Sequence, residues 1–259
     1  MKKLKLFCIA LIVGISTQIN AQTADETIAN YFENTGGVAK WQALQGIKMS
    51  AKVNQGGMEI PLEIIQLKGG KQMTVINFQG KEIKQGVFNG EILWSTNFMT
   101  QKAEKGDQET TDNMKLLVND FPDPFLDYKK NGYTIELLGK ETLDGSETFK
   151  IKLTKKPITV DGAKVEDITY YFFDAENFVP LVIHSEIKSG PMKGQVSEVK
   201  MSDYQEVDGL SLPHSMTQGL KGQPGQAIAI DKIELNPQID PKEFEFPEEV
   251  AVGADPVKK

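Results

Sequence analysis

Hydrophobic and polar residues follow two periods along this chain. From Ala24 to Leu44 the apolar positions recur every three to four residues. Ile28, Tyr31 and Phe32 form one face, and Trp41 and Leu44 continue it beyond Asn34-Thr35-Gly36-Gly37. That spacing predicts an interrupted N-terminal helix. From Ile47 onward the period becomes two. Ile47, Met49, Ala51 and Val53 alternate with Lys48, Ser50 and Lys52; Met58, Ile60, Leu62 and Ile64 alternate with Glu59, Pro61 and Glu63. Such alternation predicts strands with one apolar and one wet face. Pro61 has no N–H for a ladder and marks an edge or a bulge. The slip of phase at Ile64-Ile65 predicts a bulge.

Turn residues punctuate the strands that follow. Gly69-Gly70, Gly80 and Asn89-Gly90 separate four apolar runs, the last ending near Phe98, and Asn-Gly between such runs is a strong hairpin signal. Further strands are expected over residues 133–139, 147–154, 167–174, 181–187, 195–204, 210–216 and 226–235, with Asp144-Gly145 and Asp161-Gly162 as turns. Residues 100–127 break the pattern. A polar run leads into a helical stripe of Met114, Leu117 and Val118 within Thr111–Asn119, capped by Asp112, and Phe121-Pro122-Asp123-Pro124-Phe125 ends it. The order of elements predicts one α+β domain over residues 22–259. It would be a large curved antiparallel sheet, an unclosed β-barrel, with an N-terminal helix and an inserted helix as plug or lid. The 109–125 segment is the candidate lid. Phe244 and Phe246 lie between acids in the tail, and residues 251–259 are expected to fray.

The start of the chain changes the setting. Lys2, Lys3 and Lys5 precede the short apolar run Leu6–Ile15, and Ser16–Ala21 is a polar end with a small residue before Gln22. This is the pattern of a secretory signal cleaved after Ala21, and the run is shorter than the ~20 residues that span a bilayer. Export to the periplasm is expected. Cleavage removes Cys8, the only cysteine, so disulfides and thiolate sites are excluded from the mature chain. No small residue stands just before Cys8, which argues against lipid attachment there. The net charge of −7 argues against nucleic acid and against an anionic membrane, and losing three lysines makes it more negative.

Reactive chemistry is sparse. The chain holds two histidines and no arginine. His184 points with Val182 and Glu186 on alternation, and His214 follows Pro213. Neither belongs to an HxH or HExxH spacing, so no metal site is expected, and both read as solvated or singly hydrogen-bonded. There is no G-x-S-x-G elbow and no phosphate-binding glycine loop, and Glu248-Glu249 reads as solvated charge. No catalytic residue and no cofactor is expected. A sheet of about a dozen strands with few helices to cover it leaves an apolar cavity as the main resource. The candidate lining is Met49, Met58, Ile60, Leu62, Met73, Val75 and Trp94 from the strands. Met114, Leu117, Val118, Phe121 and Phe125 would join it from the lid. Thioethers suit irregular apolar ligands such as acyl chains.

Three stretches resemble the periplasmic lipoprotein-carrier family with the LolA/LolB-like fold. They are Ile28–Ile47, running through Asn34-Thr35-Gly36-Gly37 into the first strand; Tyr170–Ile183, where a strand re-enters through Pro180; and Asp203–Pro213, a strand–turn–strand. Phe244-Glu245-Phe246-Pro247 resembles the family's ending. The resemblance implies an unclosed barrel whose helices plug an apolar cavity. It also implies binding of lipid or lipoprotein acyl chains, between an inner-membrane donor and an outer-membrane acceptor, by a protein expected to be a monomer. Carriers of this family can use an arginine to hold the lid, and this chain has none. The alternatives are a periplasmic sensor or scaffold of the same fold that transports no lipid, and a hydrolase using a histidine.

Overall fold

The computed structural model describes residues 22–247. The signal segment, Glu248-Glu249 and the 251–259 tail lie outside the described residues. The chain opens with α1 (Ala24–Asn34) and α2 (Val38–Ala43). Thr23 caps α1 in a reciprocal box: its hydroxyl accepts from the Glu26 amide, and the Glu26 carboxylate accepts from the Thr23 amide at 2.8 Å. Between the helices Gly36 has φ +115°, and a Cβ there would fall 2.2 Å from the Gly209 carbonyl oxygen. Only glycine lets the two backbones meet at this break.

Strands follow in sequence: β1 (Gly46–Gln55), β2 (Met58–Leu67), β3 (Gln72–Phe78), β4 (Lys81–Phe88), β5 (Leu93–Thr96) and β6 (Ala103–Lys105). Then come α3 (Gln108–Leu116), β7 (Thr134–Leu143) and β8 (Ser146–Thr154). A small hairpin of β9 (Ile158–Val160) and β10 (Ala163–Val165) precedes β11 (Ile168–Asp174), β12 (Pro180–Glu186) and β13 (Val196–Val207). Last are β14 (Leu210–Leu220), β15 (Gln226–Leu235) and a 3-10 turn, Pro241–Phe244. Thirteen strands form one antiparallel sheet in the order β6-β5-β4-β3-β2-β1-β15-β14-β13-β12-β11-β8-β7; β9 and β10 pair with each other. β6 and β7 are its free edges, so the sheet is an unclosed barrel.

Ile47, Ala51, Leu62, Phe149, Ile151, Leu153, Phe173, Leu210, Leu212 and Ile228 point to the inner face. There they meet Ile28, Tyr31 and Phe32 of α1 and Trp41 of α2. Ile230 and Ile233 both face inward although three residues apart, because the pairing shifts between Ser50 and Ala51 and leaves Asp231 without a partner on β1.

The phase slip at Ile64-Ile65 is not a bulge. β2 pairs with β1 in unbroken register from Met58 to Leu67. Ile64 packs inside, and Ile65 packs outside with Met73, Val75, Val87 and Trp94 under Phe244. Both faces are dry here because the C-terminal segment lies across the outer one. The tail is therefore a structural strap: Phe244 is fully buried, and the Trp94 indole donates to its carbonyl at 3.0 Å. α3 starts three residues earlier than expected. Asp107, not Asp112, is its cap and accepts from the Thr110 amide, and the polar run before it contains the edge strand β6.

Candidate functional site

The gap between the sheet's two ends is crossed by α3 and by residues 117–133. Asp107 caps the start of α3, and its other end leads into the proline-rich segment. Phe125 of this segment is buried edge-on against Tyr171, with ring centroids 4.7 Å apart, and against Phe173 at 5.6 Å. Asp123 is half-buried beside it. Its carboxylate accepts from the Tyr31 hydroxyl at 3.0 Å and from the Phe125 amide at 2.8 Å. Burial pushes its pKa up to about 6, with the nearby Asp120 charge adding to the rise and the two hydrogen bonds opposing it. Burial also raises Tyr31, Tyr171 and Tyr204 above the ordinary phenol value, so all three stay neutral; Tyr31 donates to Asp123 and Tyr204 to the Pro180 carbonyl.

Above Phe125 a second polar group closes the mouth. Asp120 accepts from the Tyr133 hydroxyl at 2.6 Å and from the Lys155 ammonium at 3.0 Å, and Lys155 also lies 3.3 Å from Asp167. Beside this group is a cavity of about 270 Å³. Leu67, Gly70, Lys71 and Gln72 line it from the β2–β3 turn, and Met114, Leu117, Asp120, Phe121 and Pro122 from the inserted segment. Lys155 and Tyr171 complete the wall.

The structure brings some of the expected lining together. Met114, Leu117 and Phe121 border the cavity. Met49, Leu62, Phe121 and Phe125 belong to the interior cluster, and Ile60 is buried two residues before Leu62 on the same strand. Val118 abuts Gly70, whose missing side chain makes room for it: a Cβ on Gly70 would lie 2.8 Å from the Val118 methyl. The rest are elsewhere. Met73, Val75 and Trp94 pack on the outer face under the C-terminal strap, because the phase of β3 and β5 turns them away from Leu62. Met58 is exposed at a hairpin tip.

The polar members Tyr31, Asp120, Asp123, Tyr133 and Lys155 were not foreseen. Their only local signal is two aspartates in an otherwise apolar, proline-fixed segment. Their partners stand 13 to 92 residues away. His184 takes the singly hydrogen-bonded form of the expectation: it is buried, its Nε2 lies 2.8 Å from Glu198 Oε2, and its ring packs against Phe172. His214 Nδ1 lies 3.1 Å from the Leu212 carbonyl. No group of three His, Cys, Asp or Glu side chains among the described residues could hold a metal.

Comparison of the whole fold decides the architecture. A LolA superfamily protein from Nitrosomonas europaea superposes with a TM-score of 0.50 at 13% identity, covering 87% of this chain and 98% of that one. The chain has the LolA-like fold. A DUF1329 family protein from Desulfovibrio piger matches equally, with a TM-score of 0.50 and 15% identity over 85% of this chain and 97% of the other. No family model and no curated protein matches the sequence. In this LolA-like chain the inserted segment is the plug of an unclosed barrel. Among the described residues no helix is long and apolar enough to cross a membrane.

Proposed function

We propose that this chain shelters lipid or lipoprotein acyl chains inside its curved sheet, as a periplasmic carrier serving the sorting of outer-membrane lipoproteins. The observation that carries the reading is the plug itself. One segment, residues 117–133, puts Phe121 and Phe125 into the barrel between its free edges and borders a cavity already lined by Met114, Leu117 and Leu67. The cavity of about 270 Å³ is a little below the roughly 300–1,000 Å³ of ordinary ligand pockets. It holds part of a chain, and the plug must swing out to admit the rest. Each methylene then taken from water contributes about 0.8 kcal/mol. That gain offsets the withdrawal of two phenylalanines and the loss of the Tyr31–Asp123 and Lys155–Asp120 contacts. The reading needs no cofactor, no reaction and no second copy of the chain. A donor at the inner membrane and an acceptor at the outer one complete it, with the signal cleaved after Ala21.

One observation favours a second reading, a sensor or scaffold that carries no lipid. The interior is packed with Tyr31, Phe32, Trp41, Phe125, Phe149, Tyr171 and Phe173. Native mass spectrometry of the exported protein, with lipid extraction, separates the two, supported by titration with a fluorescent fatty acid. Carriage predicts a co-purifying acyl lipid or saturable uptake that unlabelled fatty acid displaces. A protein free of lipid that takes up no probe, as wild type and as Phe125→Ala, sinks the carrier reading and leaves the scaffold.

A further inference from the structure

Strand pairing sorts the connections of the large sheet onto two opposite rims. The β1–β2, β3–β4, β5–β6, β12–β13 and β14–β15 turns all lie on one rim, since each strand pair is antiparallel. Their connecting residues, 56–57, 79–80, 97–102, 187–195 and 221–225, contain no aspartate or glutamate; the longer β8–β11 connection, 155–167, opens on the same rim and carries Lys155, Lys156 and Lys164 against Asp161, Glu166 and Asp167. The five short turns contain Lys102, Lys188, Lys193 and Lys221, and Lys81 stands at the start of β4. The opposite rim differs. Its turns carry Glu91, Asp144, Glu176, Asp208 and Asp240 against Lys68 and Lys71. In a chain with a net charge of −7, the five short turns of the first rim are thus basic, and its β8–β11 connection is balanced.

Among the described residues, the first rim bears most of the large apolar side chains left in water. Met99 is 91% exposed, Phe98 54%, and Met58 and Met192 48% each. Phe98 and Met99 sit on a built turn. The Asn97 side chain accepts from the Met99 and Thr100 amides at 2.8 and 3.0 Å, and the Gln101 side chain donates to the Phe98 carbonyl at 2.7 Å. The turn holds two apolar side chains outward without burying either. Two of the lysines are shared with acids: Lys188 lies 3.0 Å from Glu186 and Lys193 3.5 Å from Asp161 of the β9–β10 turn.

We infer that this rim is a docking face for an anionic lipid surface, with Phe98 and Met99 entering the interface and Lys81, Lys102 and Lys221 facing the headgroups. Apolar tips among lysines suit a membrane interface, where apolar insertion and charge attraction add. The area is a rim of separate turns, not a continuous apolar patch, which suits brief contact more than lasting adhesion. The inference does not need a loaded barrel: a scaffold would dock the same way.

Flotation tests it, with vesicles of neutral phosphatidylcholine and vesicles containing about a third phosphatidylglycerol, at low and high salt. The protein is expected to float with the anionic vesicles at low salt and to be released by salt. Phe98→Ser with Met99→Ser is expected to weaken flotation tenfold or more. Changing Lys81, Lys102 and Lys221 to glutamine removes roughly fivefold per lysine and most of the salt dependence. The double serine variant should keep the wild-type melting temperature and fatty-acid uptake, which separates docking from carriage. No flotation with anionic vesicles, equal flotation with neutral ones, or rim variants that float as wild type would each overturn the inference, as would release from the vesicles by a protein partner's segment competing for the rim.

Discussion

At the scale of the residue, Asp123 is the most informative position. It is a half-buried carboxylate, tied to α1 by Tyr31 and to its own turn by the Phe125 amide. Its pKa rises from an ordinary 3.8 to about 6 in the fold, so the folded protein holds this proton more tightly than the unfolded chain. The stabilisation that protonation provides is full below about pH 4 and is lost as the pH rises through about 6. Asp123→Asn removes that dependence. Measured by urea unfolding, the variant should gain on wild type between pH 4.5 and pH 7 by on the order of 2 kcal/mol. A difference between the two proteins that does not change with pH would refute the assignment. Neither the burial of Asp123 nor its tyrosine partner was legible in the sequence. Tyr31 is read there as one apolar member of a helical stripe, and the chain that joins the pair is 92 residues long.

At the scale of the element, the strands were largely legible, because alternation is a local property and each strand writes its own. The inserted region was less so. Its cap lay at Asp107, outside the expected helix, and β6 is too short and too polar to alternate. The β9–β10 hairpin was visible only as a turn. Its role shows in its docking on α3. The Glu109 carboxylate accepts from the Asp161 and Gly162 amides at 2.9 and 2.8 Å, and Asn113 exchanges two hydrogen bonds with the Thr159 backbone at 2.7 and 2.8 Å. Asn113 thus acts as one further strand residue beside β9. Changing Glu109 and Asn113 to alanine removes four backbone partners at once, each worth about 1 kcal/mol. Hydrogen exchange should accelerate across α3 and residues 158–165 while the amides of β1, β2 and β15 keep their protection. Uniform acceleration over the large sheet would mean that the hairpin is part of the global core and not a separate flap.

At the scale of the whole molecule, the sheet has two dry sides near β2–β4, and this explains which cavity residues were misplaced. Period two says that neighbours face opposite ways, but not that the second face is covered. The cover comes from Phe244, almost the end of the described chain. Met73, Val75 and Trp94 are as apolar as a cavity lining should be, and they are apolar for the strap. The interior in turn depends on the plug. Phe125→Ala should cost about 3–5 kcal/mol of stability, as for other buried large-to-small changes. It should also widen the space above Tyr171, read as higher uptake of a fluorescent fatty acid. Stability near wild type would show that Phe125 is not seated as described.

The placement of the two tryptophans gives the protein a pair of native light-emitting reporters. Trp41 lies in the interior, its indole donating to Thr35, while Trp94 lies on the outer face under the strap. The chain has no others. With Trp94→Phe the remaining emission tracks what enters the barrel. With Trp41→Phe it tracks whether the C-terminal strap stays down. One protein can therefore be watched from inside and from outside in turn, with no dye attached.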